Sequence, residues 1–586
     1  MYAVLLDVNS KQRFIFESPR LRESIGASHQ ITDLESWVAC ALPKKPDTDD
    51  RCETNDHQWV SRSSGRVIVT VDDETEARNI IRDVTLRAFG KAPGMDVSGV
   101  YVKTGSEYFG AGDLRALNEA AAEYALRRPP ADGRFARMPF LAGASDSALP
   151  AAPPLDQDDE PHEDRKEPYS LPSRHKRLPV HAARSKLLKD LAPTGADEKL
   201  ARDPTRLERM LQPDNEDDSQ GGLSKVAIVH IDGNGVGAIM RDLAAAMRRV
   251  PCEEFTQAVK CTPDDADALR KFTLAVNENL DRAVRQACRL AWRDVAGWAE
   301  KDAVTAGREY KVIPVVPVLL GGDDVTVITS GDYALPFAAA YLRHYEQATA
   351  ADPLLRHLGD HPDGQTGPMT AAAGAAVVRF KFPFHLAYDL AERLVDEAKE
   401  VGKTASPSVS TLTYHVLLDT TVLDPEELLA AYGRLSNRPF VLRSDTAGSS
   451  QGLAGHAAWP EVCEQVRLFA GAISQNDDDR QDGFPRTRAA RIRAMMSNAA
   501  QAELAGNTAE HDRLLEQAED EWRDAEDHFP DAKRLGGKRA MFDLMDLTDL
   551  LPASYLDDPL GTASPPPSGA RKPSAADHST VEEGRA

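Results

Sequence analysis

Gly321-Gly322-Asp323-Asp324 stands between two apolar runs, Val312 to Leu320 before it and Val325 to Ile328 after it. Apolar, β-branched text on both sides of a glycine-rich tetrad reads as strand, tight turn, strand, with both carboxylates expected on the turn. This constrains the chain more than any other feature. Adjacent acids at a hairpin repel each other, and turn chemistry alone does not require both. A divalent cation removes the repulsion, and an all-oxygen donor set suits magnesium.

A second acidic position belongs with the first. The strand pattern Val226 to Ile231 runs into Asp232-Gly233-Asn234-Gly235-Val236-Gly237. If that strand lies beside the hairpin, Asp232 faces Asp323 and Asp324, and three carboxylates can hold one or two Mg²⁺ or Mn²⁺ ions. Such ions bridge triphosphate oxygens, lower the pKa of an attacking hydroxyl and stabilise a leaving pyrophosphate. Glycines let backbone approach phosphate closely, so Gly233, Asn234, Gly235, Gly321 and Gly322 are expected to face a nucleotide. The order Gly-x-Gly-x-x-Gly is absent, which excludes a dinucleotide fingerprint. The plainer reading of Asp232 is an Asp-Asn-Gly turn after a core strand. Lys399 and Lys403 share a helix face by their i, i+4 spacing and could neutralise β- and γ-phosphate charge. They could equally be cations that suit a helix C-terminus.

The rest of the chain frames this constellation. Its 586 residues suggest several domains, and 41% apolar content is enough for folded cores. The formal charge of −23 argues against broad electrostatic binding of nucleic acid, though not against one basic pocket. Six scattered cysteines without a C-x-x-C pair argue against a zinc site, and with no export signal or membrane span they predict a cytoplasmic protein.

Residues 1–127 read as a first α/β unit. Its strands are Tyr2 to Asp7, Arg66 to Val71 and Val97 to Val102, and Glu74 to Phe89 is a helix. A further helix is expected at Leu34 to Ala39, capped by Thr32 or Asp33, and a polar loop from Lys44 to His57. Residues 128–224 read as a linker, partly disordered, with solvated acidic stretches at Ala151 to Glu160 and Asp214 to Asp218. Residues 225–424 carry the hairpin in a βαββαβ order, with Asp332 as the expected cap of a helix from Tyr333. Residues 425–556 read as helical, and 557–586 as a Pro/Ser-rich disordered tail. The expected fold is therefore α+β: two ferredoxin-like palm domains, a helical linker region and a helical C-terminal domain.

The Asp232-Gly233-Asn234 turn, the Gly321-Gly322-Asp323-Asp324 hairpin, and Ala371 to Val378 leading to Pro383 and the helix through Ala398-Lys399 resemble the large palm-domain subunit of type III CRISPR effector complexes and its stand-alone relatives. At the N-terminus, Asp7 to Phe16, Leu21-Arg22-Glu23 and Gly26-Ala27-Ser28 resemble the first palm of that family. The resemblance covers about residues 1–110 and 225–420, and implies conversion of ATP to cyclic oligoadenylate second messengers in antiviral defence. Asp232, Asp323 and Asp324 would be metal ligands and catalytic residues, and Lys399 a phosphate ligand. Partners implied are a nucleoside triphosphate and, unless the protein stands alone, other CRISPR effector subunits with guide and target RNA.

The resemblance has departures. The chain begins on the palm strand, so no HD nuclease domain is expected before it, and Met138 to Ala144 lacks the cysteines of the family's zinc motif. Two other readings stand beside the cyclase. One is a non-catalytic nucleotide-binding scaffold. The other is a diguanylate-cyclase-like enzyme, which the Lys399-x-x-Gly402-Lys403 ending also suits. An internal repeat is also expected. Ala3 to Asn9 parallels Ile228 to Asn234, and Ser64 to Val69 parallels Gly321 to Thr326, with Arg66 and Val67 in place of the acids.

Overall fold

The computed structural model describes residues 1–18, 20–43, 58–129, 131–135, 138, 140–156, 160–191, 225–307, 310, 312–361, 365–379, 382–417, 435–443, 453, 455–471, 483–529 and 531–561. The expected loop at Lys44 to His57 lies wholly outside them, as does the acidic stretch at Asp214 to Asp218.

The first palm is built from β1 (Tyr2–Asn9), α1 (Lys11–Phe16), α2 (Leu21–Ala41), β2 (Trp59–Ser63), β3 (Arg66–Val71), α3 (Glu74–Lys91), β4 (Asp96–Lys103) and α4 (Ala111–Arg127). Its sheet order is β2-β3-β1-β4, with β1 antiparallel to both neighbours. The unbroken apolar text of β1 follows from burial on both faces. Val4, Leu6 and Val8 point into one core cluster, and Ala3 and Leu5 into another that continues into the second palm.

Helix α2 corrects the expectation for this region. It begins at Leu21, so Thr32 and Asp33 lie inside it, and the Thr32 hydroxyl donates to the His29 carbonyl. The expected helix, Leu34 to Ala39, is only the second half of α2. In the first half another backbone presses on Gly26: a Cβ there would lie 1.6 Å from the Lys176 carbonyl oxygen.

That carbonyl belongs to α5 (Leu171–Arg177), which with α6 (Val180–Leu191) packs on α2. The solvated reading of Ala151 to Glu160 therefore fails at Glu160, which is buried and ion-paired with buried Arg174. Arg177 donates to Glu23 at 2.8 Å and also pairs with Asp164. Alternating charges that look solvated along the chain neutralise one another inside it.

The second palm comprises β5 (Lys225–Gly233), α7 (Val236–Arg241), α8 (Leu243–Arg248), α9 (Cys252–Val259), α10 (Ala268–Thr305), β6 (Val315–Gly321), β7 (Asp324–Ser330), α11 (Ala334–Ala351), β8 (Ala371–Arg379), α12 (Phe384–Thr404) and β9 (Thr411–Leu417). A further short strand, β10 (Phe440–Val441), joins the edge, giving the order β10-β9-β8-β5-β7-β6. Strands β8-β5-β7-β6 have the antiparallel arrangement of the first palm, and β9 runs parallel to β8. Gly374 lets α12 lie directly on β8, since a Cβ there would sit 2.5 Å from the Ala391 carbonyl oxygen. Asp332 does not cap α11, because a single 3₁₀ turn, Gly331–Tyr333, precedes it.

The register also corrects the internal repeat by one residue. Asp7 is opposite Arg66 on β3, and Ser63 pairs with Arg66 across the first hairpin. In the second palm Gly321 pairs with Asp324, and Ile231 pairs with Val325, which sets Asp232 beside Asp324. Arg66 thus stands at the position of Asp324, and Gly65 at that of Asp323. Arg66 pairs with Asp7 at 3.1 Å, so a guanidinium neutralises the acid the first palm has kept.

The C-terminal helices are α13 (Trp459–Ala470), α14 (Arg486–Leu504), α15 (Thr508–His528), α16 (Ala540–Thr548) and α17 (Ala553–Asp557). Residues 557–561 depart from the expected tail. Trp298 Nε1 donates to the Asp558 carbonyl at 3.1 Å and Arg343 donates to that of Pro559 at 2.9 Å, fixing this segment to α10 and α11. No helix among the described residues is long and apolar enough to cross a membrane.

Candidate active site

Asp232 is the penultimate residue of β5, Asp323 lies in the turn between β6 and β7, and Asp324 opens β7. The turn therefore carries one carboxylate and the strand the other. Gly322 takes φ +65° and turns the chain where a side chain would be strained. One carboxylate oxygen from each of the three acids lies within 4.8 Å of the others. Gly233 permits this convergence. A Cβ there would stand 2.7 Å from Val236 Cγ2 and 3.1 Å from the Asp323 Cβ.

Partial burial makes the cluster costly in its ionised form. Burial pushes the Asp323 carboxyl up. Burial, then the neighbouring Asp323 charge, pushes Asp324 up to about 7, with Lys11 opposing both. Three oxygen donors of this charge fit a hard divalent cation. A proton competes with such a cation for Asp324, so Mn²⁺ affinity is expected to rise as pH increases through about 7 and to level off above it. Titrating Mn²⁺ by calorimetry at several pH values checks this, and a flat profile would contradict it.

Lys399, on α12, donates its ammonium to Asp232. Burial, then Lys403, pushes the Lys399 ammonium down to about 8. Lys399 is thus a resident partner of one acid and is not aimed freely at solvent. Lys403 is exposed at the end of the same helix. Asn234 does not fit its expected nucleotide-facing role. It is buried, and its amide donates to Thr370 Oγ1 at 3.0 Å and to the Val409 carbonyl at 3.2 Å, tying the turn after β5 to the strands beside it. Gly235 takes φ +74° at the start of α7 with open space around it, and Gly321 contacts the first palm. His230, behind the cluster, is buried against Thr326, and burial pushes its ring down to about 4, so it is neutral there.

A cleft of about 750 Å³ opens beside Asp323. It lies between the hairpins of the two palms, with Ser64 and Gly65 on one side, Gly321 and Gly322 on the other, and Arg270 and Asn277 of α10 along its wall. Reading the sequence missed α10 as a wall, and it missed Lys11, whose charge acts on both hairpin acids. The Gly65-Arg66 turn was the signal that could have pointed there.

The second unit is a βαββαβ palm with three convergent carboxylates, at the end of its first strand and in its hairpin. Residues 225–406 match the Cas10/Cmr2 second palm domain. Among solved structures the chain is similar to the Csm1–Csm4 subcomplex in the type III-A CRISPR-Csm interference complex, with TM-score 0.47 and 11% identity over 93% of this chain and 70% of that one. The Csm1–Csm4 cassette in complex with cA3 gives TM-score 0.45 and 11% identity over 85% of this chain. The same cassette in complex with cA4 gives 0.40 and 12% over 80%. This chain spans 62% of the matched chain in each of those two structures. No curated protein matches the sequence.

Proposed function

We propose that this protein is a divalent-metal-dependent nucleotidyltransferase that converts ATP to cyclic oligoadenylates, as its resemblance to the type III CRISPR palm subunit implies. The supporting observation is the meeting of Asp232, Asp323 and Asp324 within 4.8 Å inside a palm of the Cas10/Cmr2 type. These three residues would hold Mg²⁺ or Mn²⁺, which when bound supplies Lewis-acid stabilisation of phosphoryl charge and a more acidic attacking hydroxyl.

The chain's own residues do the rest. The backbone around Gly321 and Gly322 borders the cleft in which the triphosphate lies. Lys399 and Lys403 offer positive charge on its phosphate side, Lys399 being released from Asp232 as other positive charge reaches that acid. A ribose 3′-oxygen forms a bond to the α-phosphorus of a second ATP while the α–β anhydride bond breaks. Pyrophosphate leaves, and the hydroxyl proton passes to solvent. Repetition and a final intramolecular attack close the ring. Association with other CRISPR effector subunits and RNA belongs to the same reading.

The test is incubation with each of the four nucleoside triphosphates and Mn²⁺ or Mg²⁺, with and without a candidate activating complex, followed by mass analysis. Cyclic adenylates and pyrophosphate are expected. Turnover of GTP to a cyclic dinucleotide would favour the diguanylate-cyclase reading. Nucleotide-dependent thermal stabilisation without any product would favour the binding scaffold.

A further inference from the structure

The hairpin of the first palm carries Gly65 and Arg66 where the second palm has acids, yet it is not idle. The two turns touch: a Cβ on Gly321 of the second palm would lie 2.9 Å from the Ser64 hydroxyl of the first. Into this junction comes Lys11, the first residue of α1, whose ammonium donates to the Ser64 carbonyl at 2.7 Å.

Several features hold it there. Ser10, immediately before it, takes φ 49° and ψ 50°, a left-handed conformation uncommon for a residue with a side chain. Gly65, at φ +71°, leaves room for the lysine stem, because a Cβ there would sit 2.7 Å from Lys11 Cε and 2.8 Å from Ile31 Cγ2. The far end of α1 is fixed to the second palm by Phe16, which stacks on Tyr388 of α12. Burial lowers the Lys11 pKa while Asp7, Asp324 and Asp323 raise it, so its charge is shared between the palms. Asp7 already has Arg66 as its partner. Asp323 and Asp324 form no ion pair among the described residues.

We propose that Lys11 is a positioning residue that the first palm contributes to the site in the second: a fixed positive charge that offsets Asp323 and Asp324 and favours the triphosphate anion over a bare metal ion. This rests on the metal-and-nucleotide reading of the acid cluster. The hairpin of the first palm then has a use, since Arg66 shares Asp7 with Lys11 and Gly65 opens the path of the lysine to the junction.

The charge argument gives two effects of opposite sign. At pH 8, Lys11→Met removes a cation that repels Mn²⁺, so Mn²⁺ alone should bind tighter, by about fivefold for a partly screened unit charge nearby. ATP added at saturating Mn²⁺ should bind weaker by a similar factor, and Lys11→Arg should stay near wild type in both. Calorimetric titration of the full chain measures each constant. A merely structural role would weaken both together, and that result, or no change in either, overturns the proposal. Should the methionine variant fail to fold, Lys11→Gln keeps a donor for the Ser64 carbonyl and carries the same two expectations. Wild type and Asp323→Asn/Asp324→Asn are measured alongside. If Mn²⁺ binds neither or both alike, the acid-cluster reading itself fails and this inference with it. If wild type alone binds, the Lys11 variants decide.

Discussion

Asp323→Asn/Asp324→Asn is expected to abolish nucleotide turnover and to make the protein harder to unfold. The first effect follows from the proposed function, in which two of the three donors for a divalent ion are removed. Stabilisation of several kcal/mol in the transition state corresponds to a loss of ~10³-fold or more. The second follows from the cost of the wild-type pair. Burial and mutual repulsion raise the Asp324 pKa in the folded protein to about 7, against an ordinary carboxylate value of 3.8. A carboxyl raised in this way contributes stability that is fully present below about 4 and is lost as pH rises through about 7. The amides do not titrate, so the variant's gain in urea midpoint should be larger at pH 8 than at pH 5. Mn²⁺ should stabilise the wild type and leave the variant unchanged. Retained turnover, or a variant less stable than wild type at pH 8, would remove the acid cluster from the mechanism.

The second large effect lies far from the chemistry. Arg177→Leu leaves buried Glu23 without its guanidinium partner and Asp164 with Arg22 alone. The side chains of Glu23 and Arg177 are 0% and 4% exposed. Ser173 and Ser18 also donate to Glu23, so the carboxylate is held in place and cannot turn to water. Breaking a buried pair by removing one partner costs about 3–5 kcal/mol. Urea denaturation followed by tryptophan fluorescence should show an earlier transition of that size. Arg177→Leu/Glu23→Leu should recover part of the loss, since replacing both partners by apolar groups removes the uncompensated charge. An unaltered midpoint in the single variant would mean that α5 does not fasten the first palm.

These two sites differ in how far they were legible in the sequence. The palms were legible because strand text is dense and periodic: Tyr2 to Asp7, Arg66 to Val71 and Val226 to Ile231 stand within a residue or two of β1, β3 and β5. The three aspartates stood out because two acids on a glycine hairpin have no purely structural reason to be there. The first half of helix α2 and the ion pairs of α5 were not legible. Small and charged residues look like loop along a chain, and become helix and core only when a second backbone or an opposite charge arrives from elsewhere. Gly26 against Lys176, and Glu23 against Arg177, are separated by 150 residues or more.

The sequence by itself determined the two palm units and the candidate acids, because alternation, glycine turns and paired carboxylates are local properties. Tertiary structure alone decided what surrounds those acids. It placed Asp323 on the turn and Asp324 on the strand, gave Asp232 to Lys399, used Asn234 as a tie between strands, and brought Lys11 across from the first palm. The physical reason is that charge acts through space. A lysine from the start of the chain acts on both Asp323 and Asp324 once two hairpins meet at Ser64 and Gly321.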